Sequence, residues 1–252
     1  MPLNEHQQRL CEENPHDFTG LKAVLLNCSL KKDPEQSHTR ALLSVVGEIM
    51  RRNGVEVHDV HAASHEIAYG VYPDMTEHGW SRDAWPELWK TIGAADILVL
   101  GTPIWLGEES SVCRVVIERL YGMSGELNDQ GQSSYYGKVG GTVVTGNEDG
   151  IKHCAMSLLY ALQHLGYTIP PQADCGWIGE AGPGPSYGDE VDDTPAGYDN
   201  DFTQRNTTIM TWNLLHTAKM LREAGGLPNH GNDRRAWKAG CRFDYENPEF
   251  RA

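Results

Sequence analysis

The run DILVLGTPIWLGEE, residues 96–109, joins a continuous apolar segment to an aromatic loop. Its first half predicts a strand that is buried on both faces of a parallel sheet. Pro103 has no backbone N–H, so we expect the strand to end near Thr102 and residues 104–106 to lie beyond the sheet edge. Open α/β sheets bind ligands at the carboxyl ends of their strands, so this apolar loop is expected to be covered by another part of the chain or by a flat ligand.

Strands and amphipathic helices alternate along the rest of the chain. A second apolar run at residues 21–27 predicts another central strand, and the alternating segment 55–60 predicts a more peripheral one. Further strands are expected at 138–145 and, as a short last strand, at 167–169. Apolar residues recur at helical spacing at about residues 42–52, 83–94, 112–120, 151–165 and 202–223. Five strand-loop-helix units without internal repeats predict an α/β fold with a doubly wound, five-stranded parallel sheet.

The domain organisation follows from where this alternation begins and ends. Residues 1–20 show no usable periodicity and are expected to form an N-terminal extension, and residues 21–224 are expected to form one domain. The tail, residues 225–252, carries four aromatic residues and is expected to dock on the domain or on a partner subunit. The segment 170–201 is rich in Gly, Pro and Asp and is unusually long for a loop, so we expect it to be functional or to contact another subunit.

The composition excludes several classes of partner. The 252 residues include 35 acidic and 21 basic side chains, which gives a net charge of −14 and argues against binding to nucleic acid. No apolar run approaches the roughly 20 residues that span a bilayer. The first residues are polar and acidic and lack the order of a signal peptide. We therefore expect a cytoplasmic protein with no nucleic-acid or membrane partner.

The segment between the first strand and the first helix, residues 27–39, is the expected place for a phosphate group. It lacks both G-x-G-x-x-G and G-x-x-x-x-G-K-[ST], which argues against a Rossmann dinucleotide site and a P-loop. It offers hydroxyl groups at Ser29, Ser37 and Thr39, the last two where the helix begins. Ser37 or Thr39 can instead be merely a helix N-cap, and the residues alone favour that alternative.

Two other patterns do not predict a catalytic site. His58, His61 and His65 are close in sequence but have no fixed relative geometry, so they predict a surface cluster and no metal site. Residues 122–125 read Gly-Met-Ser-Gly, but Glu126 stands where a nucleophile elbow needs glycine, and the run follows a helix. These patterns argue against a metalloenzyme and a serine hydrolase.

Three segments, taken in order, resemble loops of the flavodoxin-like NADPH-dependent FMN reductase family. Ser29, the Lys31-Lys32 pair and the run Ser-His-Thr at 37–39 are similar to the Gly-Ser start, basic middle and Ser-x-Thr end of its first loop, although Asn27-Cys28 replaces the usual small residues. The run TPIWLGEESSVCRVVIERL, residues 102–120, is similar to its second loop and helix, and TGNEDG, residues 145–150, to its Thr-Gly-rich segment. The resemblance covers about residues 20–170.

The resemblance implies a sheet of order 2-1-3-4-5 that holds flavin mononucleotide (FMN) between its first and third strands. The residues that it implies for cofactor binding are Ser29, Lys31, Ser37, His38 and Thr39 toward the phosphate, Pro103, Ile104, Trp105, Leu106 and Gly107 against the isoalloxazine ring, and Thr145, Gly146, Asn147 and Glu148 along its polar edge. Trp105 can instead be a core aromatic, and His38 can merely occupy the helix start. Because the cofactor carries the redox chemistry, no side chain is nominated as a catalytic acid or base.

The resemblance further implies an FMN-dependent oxidoreductase. Hydride would pass from NADPH or NADH to the bound flavin and then to a quinone, azo, nitro or flavin acceptor. The insert after Gly70 and the segment 170–201 favour a walled site and a homodimer or homotetramer. The acidic surface also suits an alternative, a flavodoxin-type electron carrier that does not oxidise NAD(P)H itself. A third possibility is a flavodoxin-like interaction module without a cofactor.

Three tryptophans lie in the predicted helix at 83–94 or just before it. Trp80, Trp85 and Trp89 are expected to pack a helix onto the sheet or one subunit onto another. The alternative is that this segment covers the flavin.

Overall fold

The computed structural model describes residues 2–179 and 182–240. Its strands are β1 Lys22–Asn27, β2 Glu56–His61, β3 Ile97–Trp105, β4 Glu108–Glu109, β5 Val139–Gly146, β6 Asp174–Ile178, β7 Glu190–Val191 and β8 Thr194–Pro195. Its helices are α1 Glu5–Glu12, α2 His38–Arg52, α3 Trp85–Ala94, α4 Ser111–Gly122, α5 Ile151–Leu165, α6 Asp201–Glu223 and α7 Arg234–Lys238. Within these described ranges, no helix has both the length and the apolar character needed to cross a membrane.

Five parallel strands form the main sheet in the order β2-β1-β3-β5-β6. Counted among these five strands alone, the order is 2-1-3-4-5, which confirms the predicted doubly wound α/β fold. The chain moves outward from β1 to β2 and then returns to place β3 on the other side of β1. The loops that leave β1 and β3 therefore diverge to opposite faces and open a crevice at the carboxyl edge of the sheet.

Helices cover both faces of the sheet, which explains why β1 and β3 are continuous apolar runs. Val24 and Leu26 of β1 are buried in the core cluster that includes residues of α3, α4 and α5. Ala23 and Leu25 point to the other face, into the cluster that includes residues of α2 and α6. The predicted helices at 42–52, 83–94, 112–120, 151–165 and 202–223 are all present with small changes of bounds.

The prediction that the third strand ends near Thr102 is wrong, because β3 continues to Trp105. The Gly101 carbonyl accepts a hydrogen bond from the backbone N–H of Cys28, so Gly101 points its peptide groups toward β1. Pro103 is two positions further along β3, so its backbone nitrogen points to the same side as that of Gly101. On that side β1 has already ended at Asn27. The missing N–H of Pro103 therefore removes no ladder bond, and the strand passes through the proline.

The prediction of a last strand at 167–169 is also wrong. Only Thr168 in this segment bridges to the sheet, opposite Val139, and two prolines follow at 170 and 171. Proline cannot donate to a ladder, so regular pairing resumes only at β6, which lies inside the segment that was predicted to be a loop. The same segment contains the small hairpin β7–β8.

Residues 1–20 contain a helix, although the sequence showed no periodicity there. Asn4 and Gln7 form a reciprocal capping box at the start of α1. Leu3 and Phe18, on either side of α1, are buried against the cluster that includes α2 and α6. The boundary of the domain at residue 21 stays a prediction.

The described part of the tail contacts the loop before β5. The side-chain amide of Gln132 donates to the carbonyls of Leu227 and Pro228, and the N–H of Arg234 donates to the carbonyl of Gly131 at 2.8 Å. Three of the four tail aromatics, Phe243, Tyr245 and Phe250, lie outside the described residues. Docking of the tail as a whole stays a prediction.

The three tryptophans between residues 80 and 89 lie in different environments. Trp85 is fully buried in the core, and Trp89 packs partly buried against the same cluster. Trp80 is 41% exposed and contacts the ring of Tyr69 edge-on, with 5.4 Å between ring centroids. Packing of helix onto sheet is thus confirmed for Trp85 and Trp89.

Candidate flavin site

Three segments that follow β1, β3 and β5 meet around one cavity of about 430 Å³, which we call the three-loop cavity. This volume lies within the roughly 300–1,000 Å³ that is common for ligand pockets. Its lining residues are Ser29, Leu30, Lys31, His38, Thr39, Pro103, Ile104, Trp105, Thr145, Gly146, Asn147, Glu148, Gly182, Ser186 and Tyr187. The cavity thus lies at the crevice that the strand order predicts.

The first wall is the β1–α2 loop together with the start of α2. The hydroxyl of Ser37 caps α2 by accepting from the backbone N–H of Arg40, and the side chain of Asn27 also contacts this hydroxyl. Ser37 is buried and does not line the cavity. His38 and Thr39 follow the cap and do line it. Their backbone N–H groups belong to the first turn of a helix, where no intrahelical carbonyl is available, so this end of α2 favours an anion.

Two basic side chains meet on this wall. Lys31 Nζ donates to the carbonyl of Gln36 at 2.6 Å and lies 3.1 Å from His38 Nε2. His38 Nδ1 lies 3.0 Å from the carbonyl oxygen of Tyr187. A carbonyl only accepts and an ammonium only donates, so Nδ1 carries the proton and Nε2 accepts from Lys31. The two contacts therefore fix the orientation of the His38 ring between Lys31 and the segment that carries Tyr187.

The second wall is the hairpin that β3 forms with β4. Ile104 is buried and Trp105 is 43% exposed, so the hairpin presents aromatic surface to the cavity and is not sealed in the core. Leu106 and Gly107 form the two-residue turn, both with positive φ, and Leu106 is 94% exposed. Glu148 accepts a hydrogen bond from the Leu106 N–H at 2.6 Å, which ties the hairpin tip to the loop after β5.

The third wall is the end of β5 and the loop that follows it. The hydroxyl groups of Thr145 and Thr39 are 2.7 Å apart, so this wall is joined directly to the start of α2. Gly146 lies so close to the hairpin that a Cβ there would come within 2.4 Å of Ile104 Cγ2. Asn147 donates to the carbonyl of Gly184, but its buried Oδ1 has no hydrogen-bond partner among the residues that the structure describes.

A fourth wall comes from the segment 182–200, here called the strap. It lies within the segment 170–201, which was expected to be functional and to favour a walled site, although none of its lining residues was predicted. Gly182, Ser186 and Tyr187 line the cavity, and Tyr187 is fully buried. Gln204 of α6 donates to the Tyr187 hydroxyl at 3.3 Å, and burial raises the pKa of this phenol well above its usual value. The phenol therefore stays neutral and anchors the strap. The length and composition of the segment 170–201 were the only signals for this wall in the sequence. Leu30, which also lines the cavity, was missed because no distinct pattern separates it from its predicted neighbours.

Eleven of the fourteen residues predicted to bind the cofactor line the three-loop cavity. The other three, Ser37, Leu106 and Gly107, lie next to it. Ser37 is used as the cap of α2, which was the alternative left open by the sequence, and the other two form the exposed turn. The binding role of all fourteen residues stays a prediction, because proximity to a cavity does not establish contact with a ligand.

The lining has the chemistry that FMN requires. A phosphate needs donors and positive charge, which Ser29, Lys31 and the first turn of α2 supply. A flat ring needs apolar surface, which Pro103 and Trp105 supply. A polar ring edge needs donors and acceptors, and the polar residues Asn147 and Glu148 line the cavity on this wall. The residues present therefore fit this cofactor.

A larger cavity, of about 930 Å³, lies elsewhere, between α1 and α6. It is lined by residues such as His16, Arg205 and Trp212 and receives no strand end. The carboxyl ends of parallel strands are where this class of sheet binds ligands, so the smaller cavity is the better candidate site. In residues 2–179 and 182–240, no group of three His, Cys, Asp or Glu side chains is arranged to hold a metal ion.

Comparison with known protein families gives a match over the sheet and its loops. The family model described as NADPH-dependent FMN reductase matches residues 21–177. An 8-demethyl-8-aminoriboflavin-5'-phosphate synthase of Streptomyces davaonensis is 36% identical over 210 residues, which are 81% of this chain and 79% of that protein. A divalent metal cation transporter, MntH, of Mycobacterium bovis is 60% identical over 208 residues, or 82% of this chain. The chain spans about 30% of the length of this second relative.

Solved structures give the same result for the fold. RosB, crystallised with the intermediate 8-demethyl-8-formylriboflavin-5'-phosphate, matches with a TM-score of 0.77 and 34% identity. The match covers 90% of this chain and 89% of RosB. FerB, a flavoenzyme NAD(P)H:(acceptor) oxidoreductase of Paracoccus denitrificans, matches with a TM-score of 0.53 and 17% identity over 82% of this chain and all of FerB, which shows a shared fold.

Proposed function

The chain belongs to the NADPH-dependent FMN reductase family, and we therefore propose that it binds FMN in the three-loop cavity and reduces a small-molecule acceptor at the expense of NADPH or NADH. The observation that carries this proposal is the convergence of three strand-end segments on one cavity that has both anion-binding and aromatic surface. A quinone, azo, nitro or free-flavin compound would serve as the acceptor.

The residues of the cavity have distinct tasks in this proposal. Lys31, Ser29 and the first-turn amides of α2 bind the phosphate. Pro103 and Trp105 support one face of the ring system, and the backbone of residues 145–148 contacts its polar edge. The strap keeps water away from the phosphate side. FMN, when bound, accepts hydride from a nicotinamide and passes electrons on, so the protein itself needs only to bind and orient the reactants.

The proposal is tested first by binding and then by reduction. The purified protein is titrated with FMN, and the complex is mixed with NADPH or NADH without oxygen while the visible flavin absorbance is followed. We expect tight binding of FMN and rapid bleaching by at least one of the two nicotinamides. Failure to bind FMN would contradict the proposal. Binding without bleaching by either nicotinamide would favour the alternative, a flavodoxin-type electron carrier.

A second candidate function uses the flavin as substrate. The relative at 36% identity is named as a synthase that makes a modified riboflavin phosphate, and its similarity extends over most of this chain. Both functions need the same phosphate and ring contacts, so the cavity supports either. Incubation of the protein with FMN, dioxygen as oxidant and an amine donor, followed by mass spectrometry of the extracted flavin, separates them. A changed flavin mass would favour the synthase-like function, and unchanged FMN would favour the reductase.

The assembly and location of the protein stay predictions. A homodimer or homotetramer is proposed because the insert after Gly70 and the strap add exposed aromatic and apolar surface, including Val71 and Tyr72 in the insert and Val191 in the strap. Light scattering of the purified protein tests this state. The cytoplasmic location also stays a prediction.

A further inference from the structure

The phosphate side of the three-loop cavity contains a chain of polar groups that the proposed function does not itself require. Asp189 of the strap lies 3.6 Å from His38 Nδ1, and the Tyr187 carbonyl lies 3.0 Å from the same nitrogen. On the other side of the ring, His38 Nε2 faces Lys31 Nζ at 3.1 Å. An imidazole between a carboxylate and a lysine can carry either no charge or one positive charge, depending on what lies next to the lysine.

The two basic groups are arranged for an anion. An ammonium placed against a neutral imidazole uses that nitrogen as an acceptor in the absence of a better one. A phosphate dianion is a better acceptor for Lys31, and it also stabilises a proton on Nε2. The Asp189 carboxylate then faces a positively charged ring, and the attraction between the two charges stabilises the protonated imidazole.

We propose that His38 takes up one proton when flavin 5'-phosphate binds, that Asp189 and the Tyr187 carbonyl are its positioning groups, and that this proton makes the site select phosphorylated flavin over riboflavin. The inference rests on the proposed binding of FMN. The proton moves from solvent to Nε2, and no covalent bond to carbon or phosphorus is made or broken. Lys31 gives up Nε2 as an acceptor, keeps its bond to the Gln36 carbonyl, and donates to the phosphate instead.

Several other charged or titratable groups near this wall already have partners. Arg40 on the first turns of α2 is 2.5 Å from Glu35, and both are exposed. Glu148, across the cavity, accepts from the Leu106 N–H. His61, at the end of β2, contacts the backbone carbonyl of Lys31 at 2.7 Å and is the second imidazole in this region. His61 is therefore the alternative source of any proton uptake and needs its own variant.

The experiment is calorimetric titration of the full chain with FMN and with riboflavin at about pH 7.5, in two buffers of different ionisation enthalpy. At this pH a free phosphate monoester is mostly a dianion and a free imidazole is mostly neutral, so uptake reports the new proton on the protein. We expect uptake of about 0.5–1 proton per FMN and none with riboflavin. We expect His38→Gln to abolish the uptake and to weaken FMN binding about ten- to hundred-fold, with riboflavin affinity unchanged.

Matched variants separate the proposal from a merely structural effect. Asp189→Asn is expected to reduce proton uptake, whereas Asp192→Asn, in the turn between β7 and β8, is expected to leave it at the wild-type value. His58→Gln, on the outer strand, and His61→Gln are expected to retain it. The His58 side chain is 40% exposed, close to the 35% of His38, which makes it a suitable control.

Several outcomes would overturn the inference. The role of His38 would be contradicted if proton uptake persists in His38→Gln or if it disappears in His61→Gln alone. It would also be contradicted if His38→Gln weakens FMN and riboflavin binding equally. Proton uptake in Asp189→Asn that equals wild type would contradict its positioning role. FMN binding without any proton uptake overturns this inference alone, whereas absence of FMN binding overturns the proposed function with it.

Discussion

The hydroxyl oxygens of Thr39 and Thr145 lie 2.7 Å apart although 106 residues separate them in the chain. Thr39 stands on the first turn of α2 and Thr145 near the end of β5, and both are almost fully buried. One hydrogen bond thus fixes the distance between the anion-binding wall and the wall that would contact the ring edge. A buried hydroxyl that loses its partner costs about 1–3 kcal/mol, so this pair contributes to stability only when both members are present.

The first prediction is a double-mutant cycle on this pair. Thr39→Val is expected to lower the free energy of unfolding by about 1–3 kcal/mol, because it leaves the Thr145 hydroxyl buried without a partner. Thr39→Val with Thr145→Val is expected to recover much of that loss, because two apolar groups of similar shape replace the pair. Urea denaturation measures all four proteins. Strictly additive losses would contradict the coupling of the two walls.

The second prediction concerns the aromatic surface of the hairpin. Trp105→Leu is expected to weaken FMN binding about ten-fold, or about 1.4 kcal/mol, because it removes the only tryptophan that lines the three-loop cavity among the described residues. Trp80→Leu is the matched control, since Trp80 has nearly the same exposure, 41% against 43%, but lies outside the cavity. Fluorescence titration with FMN measures both. Equal affinities for the two variants would argue against ring contact at Trp105.

The third prediction concerns the turn of the same hairpin. Leu106 has a φ of +54° and Gly107 a φ of +79°, and a two-residue hairpin turn with both φ values positive favours Asn-Gly. Leu106→Asn is therefore expected to raise the free energy of unfolding by about 0.5–1 kcal/mol, since the leucine side chain is exposed and its burial contributes nothing. Gly107→Ala is expected to lower it by about 1 kcal/mol.

Thermal or urea unfolding measures whether each turn variant raises or lowers the free energy of unfolding. The two variants are controls for each other, because the two turn positions are adjacent and the expected changes in the free energy of unfolding have opposite signs. A stabilised Gly107→Ala, or a Leu106→Asn that unfolds more easily than wild type, would show that the left-handed turn is not the conformation in solution.

Much of the architecture could be predicted because the information is local. β1 and β3 are buried on both faces, so their hydrophobicity alone located them, and α5 has a clear apolar face that ends at Gly166. β6 could not be found in this way. Its sequence, Asp-Cys-Gly-Trp-Ile, contains two residues that disfavour strands and follows two prolines, so only pairing with β5 makes it a strand.

The residues of the candidate site show the same difference between local and long-range information. Residues next to a predicted strand end, such as Ser29 and Trp105, could be assigned because the topology alone brings strand ends together. Tyr187 could not, because its contact with His38 joins residues 149 positions apart and depends on how the strap packs against α6. For Ser37 the residues alone favour a helix cap and the resemblance implies a phosphate contact, and in the structure its hydroxyl caps α2.

The last prediction concerns a buried ion pair that holds the insert between β2 and α3. Asp83 accepts from Arg119 of α4 at 2.6 Å, and both side chains are fully buried. Asp83 also accepts from the backbone N–H groups of Met75 and Trp85, so one carboxylate holds several parts of the insert. Desolvation lowers the pKa of Arg119, and the charge of Asp83 opposes that shift.

Asp83→Asn is expected to lower the free energy of unfolding by about 3–5 kcal/mol, because it leaves a buried guanidinium without its counter-charge. Glu66→Gln is the matched control, since Glu66 pairs with Arg82 in the same insert but both side chains are exposed, and exposed pairs contribute little. Urea denaturation measures both variants. Because Asp83 does not line the three-loop cavity, the FMN affinity of the folded Asp83→Asn protein should equal that of wild type. An equal, small loss of stability in both variants would contradict the importance of the buried pair.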